Sequence, residues 1–143
     1  MAIKYFKLKR KITTNSIPED KYVAMIQKEP VFDLQMIAEI IEKKSSMSRG
    51  DIMGVLAELE STSCWLLEEG HPVKLGILGT FYPSIEAKAV DTAKQVVRDT
   101  IIRFKCIFKP SIYLKKRFKN VEFVLGDNKV REVKYKKNKS SDE

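Results

Sequence analysis

Few side chains in this 143-residue sequence are of the types that do acid–base, nucleophilic or metal chemistry, and their spacing does not favour such work. His71 is the only histidine and follows Gly70, a helix-stop signal, so it falls in a surface turn. Cys64 and Cys106 lie far apart in apolar stretches. With His71 they supply metal-ligand types, but no Cys-x-x-Cys or His-x3-His spacing pre-positions them, and they read as two small buried hydrophobes and one surface imidazole. The carboxylate pair Glu68-Glu69 reads as a solvated helix end. There is no glycine-rich phosphate loop and no nucleophile elbow. The expectation is a non-enzyme with no catalytic residues, no metal, no cofactor and no small-molecule substrate.

What the sequence does supply is cationic charge. Lysine and arginine number 27 against 19 acids, a net charge of +8, and the isoelectric point is about 9.4. That balance favours a polyanionic partner, nucleic acid first and an acidic membrane surface second. No run approaches the roughly 20 apolar residues of a membrane span, and the lysine-rich start lacks the apolar centre of a signal peptide, so a cytoplasmic protein without membrane association is expected. The length suits one domain that gains from dimerisation.

The elements that would carry this charge are organised around Val73–Phe81, Val-Lys-Leu-Gly-Ile-Leu-Gly-Thr-Phe, where Gly76 and Gly79 interrupt a strand-like run. Glycine inside a strand marks a bulge, a bend or a close backbone approach. Before it, residues 3–12 alternate as a strand, Thr13–Asp20 carries turn chemistry, and Tyr22–Ile26 reads as the return strand of a hairpin extension over residues 1–30. Asp33 caps a helix over Leu34–Lys44. Ser48-Arg-Gly-Asp51 has capping-box form and opens a second helix to about Glu69. That helix has an apolar surface wider than one small partner would cover, which points to a subunit interface ahead of cover by the first helix and the sheet within one chain, and Trp65 inside it reads as core or interface.

After the turn, Glu86–Thr100 reads as a two-stranded arm or a loose loop, and Ile101–Phe108 as a strand. A short basic helix runs from Pro110 or Ser111 to about Phe118, with Ile112, Leu114 and Phe118 packed inward. Val121–Leu125 is a last strand, and residues 126–143, including Lys134, Lys136, Lys137 and Lys139, read as a charged, disordered tail. The domain reading is thus an extension at 1–30, a main domain at 31–125 and a tail at 126–143.

This order of helix, helix, glycine-containing turn, arm, returning strand and short basic helix resembles the bacterial histone-like (HU/IHF) DNA-binding family across roughly Val31–Lys119. The Val73–Phe81 run is similar to that family's central turn, Phe108-Lys-Pro to the start of its last helix, and the Phe81–Phe108 interval is close to the family's. The added N-terminal hairpin and Val121–Leu125 resemble the longer HU-related branch of Bacteroidetes-type bacteria. The resemblance implies an α+β, HU/IHF-like intertwined homodimer, with two N-terminal helices, an antiparallel sheet with an extended β-arm, and a short C-terminal helix. It implies a nucleoid-associated, architectural protein that binds and condenses double-stranded DNA largely without regard to sequence.

Carried over by position, Lys74, Gly76, Gly79 and Thr80 form the DNA-facing turn, Lys88, Lys94 and Arg98 lie on the arm, and Arg103, Lys105 and Lys109 line the return path. Backbone amides at the two glycines would approach phosphates. The sequence departs from the family at the arm tip, which has neither proline nor the Arg-Asn-Pro motif that wedges between base pairs. DNA binding is therefore expected ahead of sharp bending, and ordinary strand packing is the expected use of Val96-Val97, with a blunter wedge as the alternative. Glu86, Asp91 and Asp99 make the arm less cationic than a typical DNA arm. The competing reading is a structural or protein-interaction dimer that keeps the fold and has lost strong DNA binding; basic side chains gathered on one face would favour DNA, and scattered ones the alternative.

Overall fold

The structure, a computed structural model, describes residues 2–133, so the expected cations of the tail at positions 134–139 lie outside the described residues. The chain forms two compact units: one from residues 1–30 together with 120–143, the other Val31–Lys119. Together they give an α+β fold with an N-terminal hairpin, two helices, an antiparallel arm and a short later helix.

The first unit is a three-stranded sheet in which β1 (Ala2–Thr14) lies between β2 (Ile17–Ile26) and β6 (Glu122–Glu132). Strand β2 runs antiparallel to β1 and β6 parallel to it. The hairpin is tighter than the sequence suggests. Only Asn15 and Ser16 form the turn, with φ of 51° and 65°, and Thr14 pairs with Ile17. Left-handed backbone at both central residues is the primed-turn geometry whose twist matches the flanking strands, and Asn tolerates it well. Pro18 does not end the strand, because on an edge strand one step from the closing pair its missing N–H faces away from β1. Asp20 and Glu132 flank the Lys9 ammonium at 3.5 and 3.8 Å, and Asp20 above all holds its pKa above the ordinary lysine value. Strand β6 also corrects the reading of the C-terminal region. It runs through Glu132, so residues 126–132, expected as tail, are strand; after an irregularity that follows Leu125, Val130–Glu132 pair with Lys7–Lys9 of β1, and this backbone pairing supplies what apolar content does not.

In the second unit, helix α1 spans Leu34–Glu42, and the Asp33 carboxylate accepts from the Met36 amide at 2.9 Å. Helix α2 spans Arg49–Glu68. Its start is a reciprocal cap: the Ser48 hydroxyl accepts from the Asp51 amide at 3.2 Å and donates to the Asp51 carboxylate at 2.7 Å. Its end is a Schellman motif, in which Gly70 N–H donates to the Leu67 carbonyl and His71 N–H to the Leu66 carbonyl. Arg49 reaches back to Glu42 through its backbone N–H and its guanidinium, pinning the two helices end to end. Ala38 on α1 and Ile52 on α2 are the buried hydrophobic side chains among the described residues.

Strands β3 (Val73–Leu75), β4 (Gly79–Ala87) and β5 (Ile101–Pro110) make the second sheet, in that order and antiparallel throughout. Helix α3 covers Ile112–Phe118. Of its apolar residues only Leu114 is half-buried, while Ile112 and Phe118, expected to pack inward, are exposed. Cys64 and Cys106, expected as buried, are likewise exposed, and Trp65 is exposed within the single chain. The cause is shared: one short helix pair and one sheet within a single chain cannot cover that much apolar surface.

Gly79 is buried at the meeting of β4 and β5, with φ of 151°. A Cβ there would run into the Lys109 carbonyl oxygen and come within 2.9 Å of the Phe108 ring. Gly76 differs. Its φ is 52°, and a Cβ would meet nothing within 4 Å. Gly79→Ala is therefore expected to cost about 3 kcal/mol of stability through backbone strain and overpacking. Gly76→Asn should cost under about 1 kcal/mol, because Asn accepts the left-handed region. Urea unfolding midpoints of the two variants check this, and equal losses would refute it.

Candidate nucleic-acid interface

The register of the second sheet decides where its cations point. Thr80 pairs with Lys74 on one side and Lys109 on the other, Tyr82 with Ile107, Ser84 with Lys105, and Glu86 with Arg103. Directly paired residues share a face and alternate residues switch face. One face thus carries Lys74, Thr80, Tyr82, Ser84, Glu86, Arg103, Lys105, Ile107 and Lys109. The other carries Val73, Leu75, Phe81, Pro83, Ile85, Phe104, Cys106 and Phe108. Side-chain contacts agree with this division. The Phe81 and Phe108 rings lie 4.9 Å apart on the apolar side, and the Lys109 ammonium sits 5.1 Å from the Tyr82 ring centre on the polar side.

At the base of this polar face Lys74, Thr80, Tyr82, Lys109, Tyr113 and Lys115 line an open hollow of about 560 Å³ that also includes Gly76 and Gly79. Lys115 is a cation that the sequence reading left as merely wet. The hollow owes its shape to Ser111, whose hydroxyl accepts from the Leu114 amide at 3.1 Å, capping α3, and donates to the Ile77 carbonyl. The Ser111 amide adds a bond to the Leu78 carbonyl at 3.1 Å. Helix α3 is in this way tied to the β3–β4 turn. A serine after proline at a helix start announces the cap in sequence, but not its second partner.

Beyond Glu86 and Arg103 the arm closes without a long ladder. Lys88 N–H donates to the Thr100 carbonyl at 2.8 Å, and the segment between folds into two single 3₁₀ turns, Ala93–Gln95 and Arg98–Thr100. The Gln95 side chain accepts from the Asp91 and Thr92 amides, both at 3.1 Å. Lys94 and Arg98 lie one in each turn, and Val96 and Val97 between them are 65% and 55% exposed. The strand packing expected of the valines is not what they do, because the 3₁₀ turns on either side interrupt any ladder.

Among the described residues, Lys74, Lys88, Lys94, Arg98, Lys105 and Lys109 have no carboxylate within ion-pair distance, whereas Arg103 is bound to Glu86. The structure so brings Lys74, Thr80, Lys105 and Lys109 to one face, sets Lys88, Lys94 and Arg98 around the tip, and occupies Arg103. Gly79 serves contact between strands within the chain. No group of three or more potential metal-ligating side chains occurs among the described residues, and no helix there is long and apolar enough to cross a membrane.

A family model described as HU-HIG, an HU domain fused to wHTH, Ig or a glycine-rich motif, matches residues 1–124. Among solved structures, a protein from Bacteroides vulgatus ATCC 8482 with a provisional name as a bacterial DNA-binding protein is similar at a TM-score of 0.59 and 12% identity, over 88% of this chain and 50% of that one. The likeness is one of fold, and the chain spans about half the length of that structure. No curated protein gives a significant match.

Ser111→Ala removes the α3 cap and the tie to Ile77 together and should lower stability by about 1–2 kcal/mol. Thermal melts read this directly, and an unchanged melting temperature would show that the turn and helix hold without the hydroxyl.

Proposed function

The chain belongs to the HU-HIG family, whose members are non-catalytic, and from that premise we propose that it is an architectural protein that grips double-stranded DNA. The phosphate backbone meets the polar face of the β3–β4–β5 sheet, and the arm tip follows the minor groove. The single observation that carries this reading is the sorting of charge. Every lysine and arginine in these three strands lies on one face, and along the regular ladder, up to Glu86 and Arg103, the aromatic and aliphatic residues lie on the other, apart from Tyr82 and Ile107. Cations gathered in this way release counterions when they meet phosphates, so binding is expected to be steeply salt-dependent and largely indifferent to sequence.

In this proposal Lys74, Lys105 and Lys109 neutralise phosphates at the sheet, Thr80 and the Gly76 backbone approach them at the turn, and Lys88, Lys94 and Arg98 act at the tip. Gly79 supports them by letting β4 lie against β5. The active form is a homodimer. Two buried hydrophobic side chains among the described residues are a thin core, while Ile85, Phe104 and Phe108 on the sheet and Val55, Leu59 and Trp65 on α2 stay exposed, and a second copy is the cover that the family premise supplies. A dimer that serves a protein partner instead of DNA is the second reading, favoured by the same apolar exposure and by the carboxylate on the arm.

A fluorescent duplex of arbitrary sequence, titrated with the protein at several salt concentrations, tests the proposal. The affinity should fall steeply with salt and vary little between sequences. Lys105→Ala and Lys109→Ala should each flatten the log–log salt slope by about 0.9, one phosphate's worth. Absence of binding at low salt would overturn it in favour of the protein-partner reading. Sedimentation velocity should give twice the 16.5 kDa chain mass, with Phe104→Asp shifting the protein toward monomer. A wild-type chain that stays monomeric at every concentration would remove the dimer from the proposal.

A further inference from the structure

Glu86 is the only acidic residue in strands β3, β4 and β5. It stands directly across the ladder from Arg103, with the Arg103 Nε donating to its carboxylate at 2.5 Å. Both side chains reach solvent, 40% exposed for Glu86 and 67% for Arg103, so the pair sits on the face proposed for DNA and not in a core. On one side of it along the sheet is the Ser84–Lys105 pair, roughly 7 Å away at two strand residues' rise. On the other side begins the tip with Lys88.

From this placement we infer that Glu86 holds Arg103 out of phosphate binding, so that the arm presents a neutral rung between two cationic stretches and DNA is gripped at the base and the tip separately. The inference rests on the DNA-binding reading above. The physical argument is one of competition and sign. A phosphate that takes Arg103 must displace a carboxylate already in a charge-assisted hydrogen bond. It then leaves that carboxylate unpaired within a Debye length, about 10 Å at 0.1 M salt, of the DNA backbone it repels. The new contact and the new repulsion offset each other, so Arg103 gains little by switching partners. Its work in the native protein is to cancel Glu86, and Glu86 thereby sets the affinity and its salt dependence below what the number of basic residues would give.

A double-variant cycle on the full chain tests this with the same duplex titration, far-UV circular dichroism showing that each variant keeps the fold. Glu86→Gln frees Arg103 and should tighten binding about three- to tenfold at 0.1 M salt or below, with the salt slope steepening by about 0.9. Arg103→Gln exposes the carboxylate and should weaken binding by a similar factor. The double variant, neutral where the wild type is neutral, should return to within about twofold of wild-type affinity and to the wild-type slope. A double variant nearer in affinity to Arg103→Gln than to wild type would overturn the inference, because Arg103 would then be touching phosphate directly; so would Glu86→Gln binding no tighter than wild type. If neither wild type nor any variant binds the duplex at low salt, the DNA-binding reading itself falls, and this inference with it.

Discussion

Strand β4 can lie against β5 as it does only because position 79 has no side chain, and much of the second unit depends on that approach. The Lys109 carbonyl and the Phe108 ring occupy the space where a Cβ would be. With Gly79 seated, Thr80 meets Lys109 and Phe81 meets Phe108, and the alternation from there to Glu86 follows. Because strand side chains alternate with a period of two, a slip of one residue would carry the lysines to the apolar side and the phenylalanines to the polar one. The β3–β4 turn and the Ser111 tie fix the same end of the sheet from two further directions. One missing methyl thus governs a division of charge that runs the length of the arm.

That division leaves two surfaces with different physical needs. The polar face is satisfied by water, and its lysines lose little there. The apolar face and the exposed side of α2 are costly to leave wet, since patches of this size on soluble proteins ordinarily mark contact surfaces. In the proposed function the same strands serve an association that buries their aromatic side and a binding event that covers their basic side. Short cap networks at Asp33, Ser48 and Ser111 hold the helices without help from a large core.

Much of this was legible in the sequence. Asp33 and Ser48 announced helix starts through the chemistry of their side chains, Gly70 announced a stop, and Ile101–Phe108 read as the strand that it is. The failures have physical causes. Pro18 suggested a longer turn because sequence does not show that a strand will be at an edge, where a missing N–H is harmless. Residues 126–132 looked too polar to fold, yet parallel pairing with β1 depends on backbone groups that every residue carries. At Gly79 the close approach read from the sequence is one between strands of the chain itself, a detail that spacing alone does not give. The closure of the tip by Gln95 and Thr100 left no periodic trace, since single 3₁₀ turns have none.

The parallel pairing of β1 with β6 also bears on how the molecule comes to be built. The hairpin of β1 and β2 is local and can form as soon as its two strands exist, but the third strand of that sheet begins at Glu122, after the whole Val31–Lys119 unit. During synthesis the first sheet therefore has one edge of β1 open until β6 has been made. Closing an unstructured loop of that length would cost on the order of 4 kcal/mol in chain entropy. Folding of the inserted unit beforehand would replace that flexible loop with an ordered one, so β1, which can join β2 early, completes its pairing only once β6 has been made.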